Sequence, residues 1–334
     1  MKKPKSKLSH NVIMAAAAVV FLAVPQFVRS NYIISTLVYC FTFASLGIAW
    51  NMIGGYGAQI SWCHSAFVAT GAYTSFLLNI NFGVSPFLSI PIGMVIAYVI
   101  ATVIGFGTLR LRGSYFSIAT IAFAEILRVL LLYFKNITNG ASGLFITYRR
   151  NDLWNLTFDN DVPFYYIMLA FLAIVLLITR FFEKSKTGYY LGAIKGDEDA
   201  AISLGIPAFK IKLRAFQLSA VIASAVGTVF AFFLTYIDPT SVCSMDLSVK
   251  IGVVAIIGGL GTLWGPVLGA FVIIPLIEAA SSIMGQQGGT NLLYGLALIV
   301  VVISNPDGLL SLLRGIRHRL LSKRSGQAQR SVSK

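Results

Sequence analysis

Charge is scarce in this 334-residue chain. Asp, Glu, Lys and Arg together make up 11% of it, against roughly 25% in soluble domains. None of the four occurs between Arg29 and Arg110. Such a stretch has no polar face to turn to water, which excludes an ordinary soluble fold. Cysteine is nearly missing: Cys40, Cys63 and Cys243 lie scattered in or beside apolar segments, so the spacing builds neither a disulfide framework nor a metal site. There is no Gly-x4-Gly-Lys-Ser/Thr loop, no His-Glu-x-x-His and no Gly-x-Ser-x-Gly elbow. The usual signatures for holding ATP phosphates or hydrolysing a bond are therefore absent. His10, His64 and His318 are far apart; no metal is expected, and His64 reads as a hydrogen-bonded interior histidine.

What the chain does have is length without charge. Further uncharged runs cover residues 162–179, 215–237, 251–277 and 279–306. A spanning helix needs about 20 mostly apolar residues to cross a core of about 30 Å. Continuous rather than alternating hydrophobicity selects helices over a barrel. The pattern predicts about ten spans: 11–28, 32–53, 58–80, 86–109, 114–134, 163–182, 215–236, 247–257, 266–284 and 291–304. The eighth is too short to cross alone; it either borrows Gly258-Gly259-Leu260-Gly261 or is re-entrant, so eight or nine remains open. The first span resembles a signal peptide, but Pro25 and Gln26 make a poor cleavage site, which favours an uncleaved anchor.

The net charge of +14 follows topology rather than nucleic-acid binding. With the N-terminus inside, the inner segments are the Lys2 to Lys7 tail, the Arg110/Arg112 turn, 180–214 and everything after Ser304. These hold most of the 26 Lys and Arg. Arg29, Lys135, Arg149, Arg150 and Lys250 fall outside, and Arg128 lies within a span. Basic residues gathered on one side mark that side as cytoplasmic, and the 305–334 tail would attract anionic lipid.

The longest inner segment, 183–214, contains a short helix with both ends marked. Asp197 can cap its first turn, while Glu198 and Asp199 complement the positive end of its dipole. Gly205 supplies a left-handed stop and Pro207 prevents continuation. Ala200, Ala201 and Leu204 are expected on one side as a small apolar patch. Two readings stand on periodicity alone: a connecting helix packed on its own membrane domain, or a surface for another protein.

Five stretches, in order, resemble the LivM type of branched-chain amino acid ABC-importer permease. They are Gly54-Gly55-Tyr56-Gly57-Ala58-Gln59-Ile60-Ser61 through Gly71-Ala72-Tyr73-Thr74; Leu109-Arg110-Leu111-Arg112-Gly113-Ser114-Tyr115-Phe116; Ala122-Phe123-Ala124-Glu125-Ile126-Leu127-Arg128; Gly188 through Ala193-Ile194-Lys195 to Leu204-Gly205-Ile206; and Gly258-Gly259-Leu260-Gly261-Thr262-Leu263-Trp264-Gly265-Pro266. They extend over roughly residues 45 to 270. The resemblance implies that Asp197 to Gly205 is a coupling helix docking on an ATPase subunit. Gly196, Asp199 and Ile202-Ser203 depart from the commoner form of that helix.

Glu125 and Arg128, one turn apart in the fifth span, are expected to face the bundle interior, because a charge at mid-bilayer costs about 2.5–3.5 kcal/mol. They read equally as a pathway-lining pair or a structural ion pair. Glu278 stands alone in the ninth span. The Gly54-Gly55 and Gly258-Gly259 stretches share one Gly-Gly-x-Gly form, which fits a repeat lining a substrate route as well as two tight turns. Gln59, Ser61, His64, Ser65 and Thr70 form a polar stripe that serves as helix-packing glue or as route lining.

The expectation is therefore an all-α, polytopic membrane helix bundle of about 8–10 spans, one permease domain over 1–334. It would be a multi-pass protein of the inner membrane with cytoplasmic termini. The resemblance implies an importer of branched-chain or similar small amino acids. Its partners would be a second permease, two cytoplasmic ATPases holding ATP and Mg, and an extracytoplasmic binding protein, with no cofactor on this chain. A proton- or sodium-coupled secondary transporter, or a sugar or urea permease of the same superfamily, is the alternative.

Overall fold

The computed structural model describes residues 21–28, 30–146 and 151–284, with Gly295, Gly308 and Leu309. Most of the first expected span, the tenth, and the two basic tails lie outside the described residues.

Among the described residues the main helices are α1 Asn31–Gly54, α2 His64–Phe82, α3 Pro86–Thr108, α4 Ser114–Tyr133, α5 Val162–Glu183, α6 Lys186–Gly196, α7 Glu198–Ser203, α8 Ala208–Leu234, α9 Met245–Gly258 and α10 Gly265–Met284. Seven helical stretches among the described residues are long and apolar enough to cross a membrane. These are α1, α3, α4, α5, α8, the stretch Pro239–Gly258 and α10. The all-helical polytopic class is as expected. Local chemistry sets the ends. Ser85 caps α3 by accepting from the Phe87 amide, with Pro86 in the first turn where no amide donor is needed. Gly83 closes α2 at φ 65°.

α8 is the axis. It packs on α1, α2 and α3, and α10 joins α1 and α9 on the far side. Close approach at the α2–α8 crossing depends on small residues. A Cβ on Gly71 would stand 2.0 Å from the Ser224 carbonyl oxygen, and one on Gly227 would stand 2.6 Å from that of Val68. Backbones in contact replace the hydrophobic driving force that lipid removes.

Two breaks interrupt the bundle. After α1 the chain is irregular over residues 55–63, so the expected span from Ala58 is corrected: α2 begins only at His64. Gly54-Gly55 ends α1, Ala58 takes a left-handed φ of 52°, and the Trp50 indole holds the strand-like segment by donating to the Ser61 carbonyl at 2.6 Å. The second break runs over 235–244, where Tyr236–Ile237 (β2) pairs antiparallel with Leu144–Phe145 (β1). The following α9 has 14 residues, about 21 Å, short of a full crossing. With the short helix Pro239–Val242 before it, the stretch Pro239–Gly258 is long enough to cross, so the span expected over 247–257 is lengthened at its start.

The two ends of the bundle differ. One carries Arg110, Arg112, Lys195 and the α6–α7 segment. The other carries the β1–β2 pair and the loop that follows α4, where Ser85 donates to the Trp154 carbonyl and Ser35 to Asp161. Both Gly-Gly-x-Gly stretches sit at the basic end. The two breaks, 55–63 and 235–244, lie at opposite ends.

Candidate coupling and translocation site

α7 is built as its residues dictate. Asp197 is extended, and its Oδ1 accepts from the Ala200 amide at 3.0 Å. Gly205, at φ 84°, turns the chain out of the helix. Three side chains then tie the segment to three different parts of the bundle. Lys195 Nζ donates to the Gly55 carbonyl at 2.9 Å. Lys212 of α8, only 1% exposed, meets Glu198 Oε2 at 2.7 Å. Arg112, between α3 and α4, grips both carboxylate oxygens of Asp199 at 2.6 and 3.1 Å. That grip holds the Asp199 carboxyl below its ordinary range and raises the guanidinium. A buried ammonium is tolerated only because its carboxylate is in place.

The apolar patch needs correction. Ala201 is buried against the chain's own bundle, whereas Leu204 is 83% and Ile202 48% exposed. Successive helical residues turn by about 100°, so Ala200 and Ala201 cannot both lie at the middle of one face. The helix ends after Ser203, and Leu204 swings outward with it. The free face is Asp199, Ala200, Ile202, Ser203 and Leu204.

Behind α7 the two glycine stretches meet. The Asn51 side chain accepts from the Gly261 amide and donates to the Thr262 carbonyl, each at 2.9 Å. A Cβ on Gly55 would lie 2.5 Å from the Gly261 amide nitrogen, so only glycine permits this contact. Gly258 and Gly259 end α9 beside it. Tyr56, in the 55–63 break, donates its hydroxyl to Glu183 at the end of α5. Burial, and then that carboxylate, push the phenol pKa up.

The polar stripe joins helices. His64 Nε2 lies 2.7 Å from Ser219 Oγ, which itself donates to the Ala49 carbonyl. The Ser219 proton being committed, Nε2–H is the donor. The Ser65 amide donates to Ser248 Oγ at 3.0 Å, and Thr70 bonds back to Ala66. Ser61 contacts Cys63, and Gln59 is buried.

Glu125 and Arg128 pair as expected, through Arg128 Nε to Glu125 Oε2 at 2.9 Å and a second bond between Nη2 and Oε1. The two side chains sit differently. The buried residues of α4 are Phe116, Thr120 and Ala124, one stripe at helical spacing. Arg128 continues that stripe with its side chain 29% exposed, whereas Glu125 lies beside it with its side chain 52% exposed. A fork-to-fork pair satisfies its own charges, so it needs no polar partner inside the bundle.

Reading along the chain located α7 but missed Lys195, Lys212, Arg112 and Asn51, which fasten it. Lys212 stands between Lys210 and Arg214 in the sequence, so nothing local singles it out as the buried one of the three.

Apolar helices broken at opposite ends, with a short charged-tethered helix at the basic end, define a membrane transport subunit. A family model described as branched-chain amino acid transport system / permease component matches residues 32–303; the chain belongs to that family. It is 29% identical over 333 residues to the high-affinity branched-chain amino acid transport system permease protein LivM of Escherichia coli K12, covering 92% of this chain and 77% of that protein. LivH of the same organism, also named a permease protein of that system, is 25% identical over 80% of this chain. The xylose transport system permease protein XylH of Haemophilus influenzae is 32% identical over only 36% of the chain. No solved structure matches. The protein is a permease component of an ABC import system, a transport subunit and not an enzyme.

Proposed function

We propose that this permease admits branched-chain amino acids to the cytoplasm of a bacterial cell, paired with a second permease subunit. Two ABC ATPases would bind the basic end, and a substrate-binding protein would deliver from the end carrying β1–β2. The names of the similar LivM and LivH proteins support the substrate and the pairing of two permeases. Concentration of Lys and Arg at one end supports cytoplasmic termini in the inner membrane.

The observation that carries this reading is the tethering of α7. A helix that presents Ile202 and Leu204 outward, yet is bonded to α8 and to the α3–α4 turn, with the preceding α6 bonded to the end of α1, can accept a push and pass it on. ATP, with Mg, would be held and hydrolysed by the partners. Closure of their dimer would move α7, and the three ties would carry that movement to the helices that set which end is open. Residues Asp197 to Gly205 are the coupling element in this account. The solute would pass where two permeases face each other, along the α4 surface of Glu125 and Arg128 and past the glycine junction; that surface carries charge which lipid would not tolerate.

The test is uptake of labelled leucine by proteoliposomes holding the whole complex, with binding protein outside and ATP within. Leu204→Glu should leave assembly intact and cut uptake about tenfold or more, a loss of at least ~1.4 kcal/mol of coupling. Uptake that persists without ATP and collapses with an uncoupler would favour the secondary-transporter reading instead.

A further inference from the structure

A cavity of about 370 Å3 opens between α1, α8, α9 and α10, beside the 235–244 break. It lies within one subunit, and the segment that forms its rim touches α4, where Cys243 Sγ meets the Ala124 carbonyl. Its volume falls in the ~300–1,000 Å3 range of small-molecule sites. One side of the wall is apolar: Phe43, Phe230 and Ile274 are buried, and Tyr39 meets Phe230 edge-on at 5.8 Å. Two opposite charges face this interior, Lys250 from α9 and Glu278 from α10. Both side chains line the cavity, yet neither has a direct hydrogen-bond or ion-pair partner among the described residues. Asp246, one turn before Lys250, also borders the cavity, and Thr240 and Ser241 form its exposed rim.

We infer that this cavity is a binding station for a zwitterionic amino acid with an apolar side chain. The Lys250 ammonium receives the substrate carboxylate, and the Glu278 carboxylate receives its ammonium. The aromatic and aliphatic walls take the side chain. Charges held apart in a half-buried space are costly without partners; a zwitterion supplies both at once, and its side chain gains the apolar contact. The inference rests on the substrate class proposed above and adds a place for it inside the single subunit, reached from the β1–β2 end.

Two measurements on the whole complex test it. In proteoliposomes, Lys250→Gln and Glu278→Gln should each lower leucine uptake about tenfold while binding-protein-stimulated ATP hydrolysis stays near wild type. Unchanged uptake in both variants overturns the inference. The second measurement leaves both charges in place. Cys40, Cys63 and Cys243 are buried, so a Ser241→Cys variant reports the rim through its reaction with an impermeant maleimide. Without binding protein, millimolar leucine should slow that labelling about threefold or more, as partial occupancy requires. Isoamylamine and 4-methylpentanoate, each lacking one charge, should not. A labelling rate indifferent to leucine overturns the station whatever the uptake shows. Protection by leucine in a complex that moves no leucine would instead retain the station and remove the proposed transport.

Discussion

α8 and α4 are both long apolar helices, yet 72% of the most apolar stretch of α8 is buried within the chain against 17% for α4. Each carries a charged side chain in an ion pair. Lys212 of α8 is sealed against Glu198, whereas Arg128 of α4 holds Glu125 in the open. Hydropathy treats the two helices alike. Their surroundings separate a structural axis from a surface that this chain leaves for something else to meet.

Breaking the axis should have the largest effect. Glu198→Ala leaves the Lys212 ammonium buried and unanswered, which costs about 3–5 kcal/mol. Thermal unfolding of the purified complex in detergent should shift down markedly, and adding Lys212→Met should recover part of the loss. On α4 the expectation reverses. Exchanging Glu125 and Arg128 for Gln should change stability by no more than about 1 kcal/mol, as for exposed pairs, while leucine uptake falls. An equally large stability loss at α4 would erase the contrast drawn here. Smallest is the exposed Asp199–Arg112 tie. Arg112 lowers the folded-state pKa of Asp199, so the contribution is present above the unfolded pKa and is lost as pH falls through the lower folded value. The stability gap between wild type and Asp199→Asn, followed by thermal denaturation, should therefore be present at neutral pH and close in acid.

Much of this architecture is legible from local pattern. Uncharged runs mark the helices, because lipid demands length and lack of charge within one continuous segment. Asp197 and Gly205 mark the limits of α7, because caps and left-handed stops are written within a few residues. The i,i+3 spacing of Glu125 and Arg128 shows that they pair. It cannot show which way they face, since that depends on how much protein surrounds α4. Ala201 turned inward for a similar reason: a six-residue helix carries too little periodicity to fix its orientation. The ties from Lys195 to Gly55 and from Lys212 to Glu198 join positions that only the fold brings together. The family resemblance pointed to a short helix at this place, and the structure supplied its fastenings.

The Asn51 amide has a consequence for how the molecule is made. Its partners, Gly261 and Thr262, lie 210 and 211 residues later in the chain. When α1 leaves the ribosome, the acceptor and donor it needs have not been synthesised, and a stray amide in an apolar setting is unstable. The Asn51 amide therefore gains these two partners only once the turn between α9 and α10 is made. Shortened products ending before residue 261 would carry this open latch, a feature that membrane quality-control proteases could recognise.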